Sequence, residues 1–245
     1  MPTFSIVIPT KNEEQALGHL LPELKNQTLQ PAEIIIADAD STDGTAKTAQ
    51  LYKARVVPGG MPGAGRNAGA AQASGDLIVF LDADVRLQRT DFLERALSEF
   101  NRRNLDIATA DIEPYDSRNR LDRLGHRVYS LYVRLWGQRH PHTPGFFIIV
   151  KKNLHQQISG FDPTILFLED HDYGYRAVKQ AGAQFAVLNS VKLGVTMRRF
   201  KRDGRLFVTL QNILAEIYYF IFGPIRHNLF RYNFFSYQQK KRRSG

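Results

Sequence analysis

The amino-acid sequence predicts an α/β fold in which a mostly parallel sheet is flanked by helices. Short apolar runs alternate with segments of helical periodicity through the first half, which is the pattern of strand–helix–strand units. The composition, with 43% hydrophobic and 23% charged residues, is that of a folded globular protein. A chain of 245 residues is long enough for one large α/β domain with an appendage, whereas two full domains would be cramped.

The first half predicts repeated strand–turn–helix units. Leucines recur at helical spacing behind Asn12, a good N-cap, and residues 41–43 would cap a second helix, which is the main role expected for Asp43. In chain order the predicted elements are a strand over 4–9, a helix over 17–24, a strand over 33–37, a helix over 45–52, a strand over 54–57, a glycine-rich loop over 59–65, a helix over 66–74 and a strand over 77–81. This order is typical of a nucleotide-binding half-domain.

The second half is less regular. Its predicted elements are a helix over 91–103, a strand over 107–112, a long amphipathic segment over 121–136, a strand over 145–150, a helix over 169–181 and strands over 185–188 and 191–197. Beyond Arg198 the composition becomes basic and aromatic, and we place a boundary near Lys201.

The net charge of +9 is confined to the C-terminal end. Residues 198–245 hold eleven lysines and arginines against two acidic residues, so the preceding chain is neutral. A basic segment with interleaved aromatic residues favours an anionic surface, and nucleic acid and membrane are both candidates. The neutral body argues against a nucleic-acid binder, so no nucleic-acid partner is expected.

Polar residues interrupt the apolar segment 206–225, which disfavours a membrane-spanning helix. Two interpretations remain open. The segment forms an interfacial helix with residues 240–243 as an electrostatic anchor, or it packs on the domain and leaves a solvated basic end.

The sequence contains no cysteine, so any metal must be held by oxygen or imidazole ligands. The absence of disulfides suits a reducing compartment. Residues 1–9 lack a basic region before an apolar run and do not resemble a signal peptide. We expect a cytoplasmic protein, and the interfacial interpretation of the tail would place it peripherally on the cytoplasmic face of the membrane.

Asp82 and Asp84 directly follow the most apolar predicted strand. In a parallel sheet they would lie at the carboxyl edge, where such folds bind ligands. Mg²⁺ and Mn²⁺ prefer oxygen ligands and are usually completed by substrate phosphates, so this pair predicts a divalent-cation site. The alternative is that Asp-Ala-Asp is a solvated loop.

Thr10 and Asp38 end the first two predicted strands and would face the same edge. Asp38 could accept hydrogen bonds from a nucleotide base, or it could simply form a turn. Arg66 follows the glycine-rich loop and opens a helix, so its guanidinium and the neighbouring amides could meet a diphosphate.

The segment Glu169-Asp170-His171-Asp172 begins a predicted helix. Acidic residues are favoured there by the helix dipole in any case. The functional alternative is that one carboxylate is a general base that takes the proton of an acceptor hydroxyl. We interpret His171 as a bystander.

Together these segments resemble family 2 glycosyltransferases in order and spacing over roughly residues 3–200. The segments that carry the resemblance are Ser5-Ile-Val-Ile-Pro-Thr-Lys-Asn-Glu-Glu14, Ile36-Ala-Asp-Ala-Asp-Ser-Thr-Asp-Gly-Thr45, Gly65-Arg-Asn-Ala-Gly69, Gly75-Asp-Leu-Ile-Val-Phe-Leu-Asp-Ala-Asp84 and Phe167-Leu-Glu-Asp170. The resemblance implies a GT-A fold with a Rossmann-like sheet, a nucleotide-diphosphate-sugar donor, Mn²⁺ or Mg²⁺, and inversion by direct displacement.

The resemblance also implies roles for individual residues. It makes Asp170 the general base and Asp84, with Asp82, the metal ligands. The donor contacts that it implies are Thr10, Glu13, Asp38, Arg66, Asp82 and Arg199. Arg198 and Arg199 would meet the leaving diphosphate or an acceptor phosphate.

The resemblance divides the chain into a glycosyltransferase domain, residues 1–200, and a basic amphipathic helical tail, residues 201–245. Residues 1–104 form the nucleotide-binding half of the domain and residues 105–200 the acceptor-binding half. The segment Thr196-Met-Arg-Arg-Phe200 departs from the Gln-x-x-Arg-Trp element of processive members, so a non-processive enzyme is expected, with a sugar, lipid-linked or other hydroxyl acceptor. A nucleotidyltransferase of related fold and a non-catalytic nucleic-acid binder are the alternatives.

Overall fold

The computed structural model describes residues 2–137, 141–227 and 229, except the side chain of Trp136. The strands are β1 (Phe4–Thr10), β2 (Glu33–Asp38), β3 (Arg55–Pro58), β4 (Leu77–Leu81), β5 (Ile107–Pro114), β6 (Phe147–Lys151) and β7 (Phe185–Val195). The helices are α1 (Glu14–Lys25), α2 (Thr45–Leu51), α3 (Pro62–Gln72), α4 (Phe92–Arg102), α5 (Arg120–Trp136), α6 (Lys152–Gln157), α7 (Glu169–Tyr175), α8 (Arg198–Asp203) and α9 (Arg205–Phe222). A π-helical turn, Arg176–Gln180, continues α7.

Within the described residues the strands form one sheet in the order β3-β2-β1-β4-β6-β5-β7. Its ladders are parallel except where β6 pairs with β4 and β5. The predicted mostly parallel α/β sheet is therefore confirmed. Because β1, β2 and β4 run the same way, their carboxyl ends lie at one edge, where the polar residues of the candidate site begin.

The core lies on both faces of the sheet. Alternate residues of β1 point to opposite faces, so Ile6 and Ile8 join one apolar cluster and Val7 joins the other. Burial on both faces explains why these strands are continuous apolar runs. Helix α3 packs closely on β1, since a Cβ at Gly69 would lie 2.3 Å from Val7 Cγ1.

Three helix starts differ from their predictions. Asn12 is not the N-cap of α1; it adopts a left-handed conformation with φ of 56°, and its Oδ1 accepts the Thr42 amide. Glu13 is the N-cap residue instead. Helix α3 begins at Pro62, so part of the predicted glycine-rich loop is helical. Asp43 accepts the amide of Thr45 at the start of α2, but the N-cap position is Gly44 rather than the predicted Asp43.

Residues 185–195 form one irregular strand rather than the two that were predicted. The register of β7 against β5 shifts between Ala110 and Asp111. The buried Glu99 accepts the amides of Asn189 and Ser190 in the extra segment. A carboxylate on α4 thus satisfies backbone groups that the ladder leaves unpaired.

Helices α8 and α9 pack on the domain. The boundary predicted near Lys201 falls within α8. Val208 and Ala215 of α9 are buried, and Phe167 forms an isolated bridge with Ile225 beyond α9. A search of the described residues finds no helix whose length and hydropathy would let it cross a bilayer. The predicted anchor at residues 240–243 lies outside the described residues.

Candidate active site

The carboxyl ends of β1 and β2 are joined by hydrogen bonds. Thr10 Oγ1 donates to Asp38 Oδ1 at 2.9 Å. Asp38 also accepts from the Ser41 amide and hydroxyl, at 2.9 and 2.5 Å. These contacts fit the turn-forming role of Asp38, and they also fix its carboxylate at the sheet edge.

Arg66 is the centre of the site. Its side chain is 3% exposed, and it binds Asp82 at 2.8 Å and Glu169 at 3.1 Å. The same guanidinium donates to the Gly145 carbonyl at 3.2 Å. One buried cation therefore connects α3 with the end of β4, the start of α7 and the loop before β6.

Asp170 lies beside this cation. Its Oδ2 accepts the Gly145 amide at 2.6 Å, so Gly145 contacts both Arg66 and Asp170. A Cβ at position 145 would lie 2.6 Å from Arg66 Nη2, which explains the glycine. Leu168, two residues before Asp170, has φ of 62°. Such strain in a bulky residue is typical of functional sites.

Arg198 forms a second bridge across the site. It binds both oxygens of Glu13, at 3.0 and 2.7 Å, and Asp84 Oδ2 at 3.0 Å. Arg199 instead stacks over the Phe167 ring at 5.6 Å and reaches Gln211 at 3.5 Å. The structure thus places Arg198, rather than Arg199, against the acidic residues.

The site concentrates negative charge in a buried place. Burial raises the pKa of Asp82 to about 6; Arg66 opposes this shift, while Asp170 and Glu169 add repulsion. Burial likewise raises the pKa values of Asp84, Glu169 and Glu13.

These residues fit a divalent cation. Among the described residues, Arg66 and Arg198 pair with four carboxylates, those of Asp82, Glu169, Glu13 and Asp84, which leaves excess negative charge where burial disfavours anions. Asp82 and Asp84 each contact an arginine through one oxygen. Oxygen-only ligands suit Mg²⁺ or Mn²⁺, so this pair is the candidate metal site.

The sequence analysis did not identify several residues near the site. Gly145 carried no signal, because one glycine before a strand is common. Glu216 is one of the polar residues that interrupt the apolar segment 206–225, and a lone acid inside such a segment indicates a buried partner. That partner is His171, whose Nδ1 lies 2.7 Å from Glu216 Oε1. His142 also faces Glu216, at 3.2 Å.

The sheet order and the carboxylates at the carboxyl ends of its parallel strands define an α/β protein with a polar site at one sheet edge. Residues 5–159, more than half of the chain, match the family model described as "Glycosyl transferase family 2". The protein therefore belongs to glycosyl transferase family 2, as the motifs had indicated.

Solved structures share this fold. The chain matches TarS 1–349 of Staphylococcus aureus in complex with UDP with a TM-score of 0.62 and 20% identity, over 88% of this chain and 65% of that one. It matches the mannosyltransferase PcManGT of Pyrobaculum calidifontis, in complex with GDP-Man and Mn²⁺, with a TM-score of 0.68 and 18% identity, over 88% and 64% of the two chains. At such identities the likeness shows the fold alone.

Curated relatives include two 4,4'-diaponeurosporenoate glycosyltransferases. The one from Staphylococcus aureus (strain bovine RF122 / ET3-1) is 31% identical over 121 residues, which are 46% of this chain and 32% of the relative. The one from Staphylococcus haemolyticus (strain JCSC1435) is 31% identical over 142 residues, 54% of this chain and 35% of the relative. The matched part of the chain thus spans about a third of these relatives' length.

Replacing Arg66 with glutamine should lower the free energy of unfolding at pH 7 by about 3–5 kcal/mol, because two partly buried carboxylates lose their buried partner. The loss should shrink as the pH falls from 7 to 5. The pKa of Asp82 is already raised, and it would rise further without the guanidinium. At lower pH the Asp82 carboxyl of the variant is therefore protonated in the folded state, and folding no longer buries a negative charge there. Urea unfolding followed by circular dichroism at both pH values measures the change.

Arg89→Gln is the matched control, since Arg89 pairs with Asp91 at the surface. It should change stability little at either pH. Equal losses in the two variants, or a loss for Arg66→Gln that ignores pH, would contradict the central role of Arg66.

Proposed function

We propose that the protein is an inverting glycosyltransferase that moves a sugar from a nucleotide-diphosphate sugar to a hydroxyl acceptor. The observation that carries the proposal is the attachment of Asp82, Glu169 and the Asp170–Gly145 pair to one buried guanidinium. This arrangement keeps a candidate base at a fixed place beside a candidate cation site. Family membership favours it over the nucleotidyltransferase and nucleic-acid-binding alternatives.

In the proposed reaction Asp170 accepts the proton of the acceptor hydroxyl. The acceptor oxygen then bonds to the anomeric carbon as the bond from that carbon to the diphosphate oxygen breaks, which inverts the configuration. The nucleoside diphosphate leaves with the electron pair of the broken bond. The amide of Gly145 donates to Asp170 Oδ2 and the amide of His171 donates to Oδ1, so both oxygens of the candidate base are held in fixed positions.

Asp82 and Asp84 would hold Mn²⁺ or Mg²⁺. When bound, such an ion neutralises the charge of the diphosphate. Arg66 and Arg198 fix the two carboxylates and reduce their mutual repulsion. The neighbouring structures named for complexes with UDP, and with GDP-Man and Mn²⁺, support a donor of this class.

The remaining donor residues are proposed by position. Thr10 and Asp38 lie at the edge where a nucleoside would bind, and Glu13 is held by Arg198. Arg199 lies against Phe167, so we assign it to an acceptor phosphate rather than to the metal site.

We further propose a lipid-linked acceptor and contact with an anionic membrane. Helices α5 and α9 are connected at two places, because Asp122 pairs with Arg205 at their first turns and His142 contacts both Tyr132 and Glu216 further along. Both expose large apolar side chains, which together we call the apolar face: Leu121, Leu124, Val128, Leu131, Leu135, Leu206, Leu210, Ile213, Leu214, Ile217, Phe220, Ile221 and Phe222.

The apolar face fits a lipid surface. Leu131 and Leu214 are 54% and 57% exposed on helices that begin with arginines. Apolar residues that enter the acyl boundary, together with cations that meet anionic headgroups, are typical of interfacial helices. Helix α9 thus combines the two interpretations of the tail, because one side packs on the domain and the other is exposed. Residues 240–243 would add about 1 kcal/mol per cation near such a surface.

Asp84→Asn should remove the metal-dependent part of donor binding, because an amide does not neutralise a cation. We expect Mn²⁺ to raise the melting temperature of the wild-type protein with UDP or GDP, and this increment to vanish in Asp84→Asn and Asp82→Asn. Donor turnover should fall at least about a hundredfold. Asp91→Asn, at an exposed ion pair, is the control. Retention of the Mn²⁺ increment in both site variants would rule out the metal assignment.

Asp170→Asn should bind the donor normally and lose turnover, because the base acts only when a hydroxyl is deprotonated. Release of nucleoside diphosphate should fall by about 10²–10⁴-fold, with the dissociation constant for UDP or GDP unchanged. Calorimetry and a coupled release assay measure the two quantities. Asp162→Asn, at an ion pair with Arg226, is the control. Weakened nucleotide binding with normal turnover would assign Asp170 a donor-binding role instead.

Vesicle flotation tests the membrane contact. Wild-type protein should float with vesicles containing phosphatidylglycerol at low salt, and binding should weaken steeply with added salt. Leu131→Gln with Leu214→Gln, or charge reversal of residues 240–243, should reduce flotation without changing the melting temperature. Leu51→Gln, a 73% exposed leucine on α2, is the control. An absence of flotation at low salt, or equal loss in the control, would contradict the proposal.

A further inference from the structure

Two histidines and a glutamate form a buried cluster behind the candidate base. His171 Nδ1 lies 2.7 Å from Glu216 Oε1, and His142 Nε2 lies 3.2 Å from the same oxygen. The two imidazole centroids are 3.4 Å apart, and the side chains of His142 and His171 are 5% and 9% exposed. The three residues come from the loop before β6, from α7 and from α9, so the cluster joins separate parts of the chain.

Hydrogen bonding accounts for only part of the cluster. Glu216 Oε1 lies 2.7 Å from His171 Nδ1, a contact that helps to raise the pKa of His171. Within the described part of the chain, however, the alignment of this oxygen with His171 Nδ1 and with His142 Nε2 is poor for a hydrogen bond to either. A buried polar atom without a well-aligned partner is costly and calls for an explanation. The three potential ligand atoms all lie within 4.8 Å of one another.

We propose that His142, His171 and Glu216 bind a transition-metal ion with the preferences of Zn²⁺. Two imidazoles and a carboxylate are an established zinc ligand set. Bonds of about 2.0–2.2 Å place neighbouring ligand atoms of a tetrahedral site about 3.3 Å apart. Glu216 Oε1 is already at this distance from His142 Nε2 and is about half an ångström too close to His171 Nδ1. Two imidazoles on one tetrahedral ion would have their centroids about 5 Å apart, so binding also requires the rings, which are 3.4 Å apart, to separate.

This site differs in chemistry from the Asp82–Asp84 pair. Carboxylate oxygens select Mg²⁺ or Mn²⁺, whereas imidazole nitrogens favour Zn²⁺ and its neighbours. The other ring nitrogen of His171, Nε2, lies 3.8 Å from Asp170 Oδ1. A carboxylate near the second nitrogen of a ligating histidine commonly orients the ring. An ion here would attach α9 to α7 one residue from the candidate base.

The surrounding charges favour a cation. Burial acts to lower the pKa of His171, but Asp170, Glu216 and Glu169 outweigh burial and raise this pKa to about 9. Burial lowers the pKa of His142, which keeps that imidazole in the neutral form that binds metals.

The test uses the full-length protein freed of metal by a chelator. Co²⁺ titration, followed by visible absorption, should reveal one nitrogen-containing site of low coordination number, and Zn²⁺ should displace the Co²⁺ and raise the melting temperature. Loss of an outer-shell partner alone costs about 10–100-fold in metal affinity, so His142→Ala and Glu216→Gln should each cost at least that much. His19→Ala, at an exposed histidine, should leave the titration unchanged.

Asp84→Asn separates this proposal from the proposed function. It should leave the Co²⁺ spectrum intact, whereas Glu216→Gln should leave the Mn²⁺ effect on nucleotide binding intact. Equal Co²⁺ and Zn²⁺ affinity in wild type, His142→Ala and Glu216→Gln would overturn the site. A wild-type protein that binds no Zn²⁺ would also overturn it, and the cluster would then be an ion pair between protonated His171 and Glu216.

Discussion

The buried guanidinium of Arg66 is the interaction on which the site depends. Asp82, Glu169 and Gly145 come from different segments, and each contacts this one side chain. Without the guanidinium, the carboxylates of Asp82 and Glu169 would lie unpaired in a partly buried site. Their desolvation would then lower the free energy of unfolding by more than small shifts could offset. Five donors in a fixed plane suit arginine to this role, because a lysine would offer a point charge without the fork. The small residues of α3 let the arginine reach the sheet edge.

Much of the fold could be predicted because the parallel strands are buried on both faces and therefore appear as apolar runs. The failures have local causes. Asn12 has the chemistry of an N-cap, but its amide oxygen pairs with the next loop, at Thr42, and its backbone is left-handed. The register shift in β7 could not be predicted, because the backbone amides at the shift donate to the side chain of Glu99, about ninety residues earlier in the chain. Sequence periodicity contains no information on such distant pairing.

The candidate site was predicted where a motif gave both residue type and position. Asp82 pairs with Arg66, Asp170 shares Gly145 with it, and Asp84 pairs with Arg198, since strand ends and helix starts meet at one edge. The choice between Arg198 and Arg199 was beyond the sequence, because neighbouring helical residues point about 100° apart and only packing decides which faces the site. Their roles with substrate stay predictions. His142 and Glu216 were missed because three chain segments meet there and no motif connects them.

Helix α9 has two unlike sides, and this has a thermodynamic consequence. Glu216 touches His171, which follows Asp170, while the residues around Leu214 are exposed on the other side. Suppose that binding at the exposed side of α9 moves the helix and so changes the affinity of the sheet edge for its ligand by some factor. Occupancy of the sheet edge then changes the affinity of the exposed side by the same factor, because linkage between two sites is reciprocal. Where this factor is favourable, binding to the surface strengthens binding of the ligand at the sheet edge, and the ligand strengthens binding to the surface. Each affinity then depends on whether the other site is occupied.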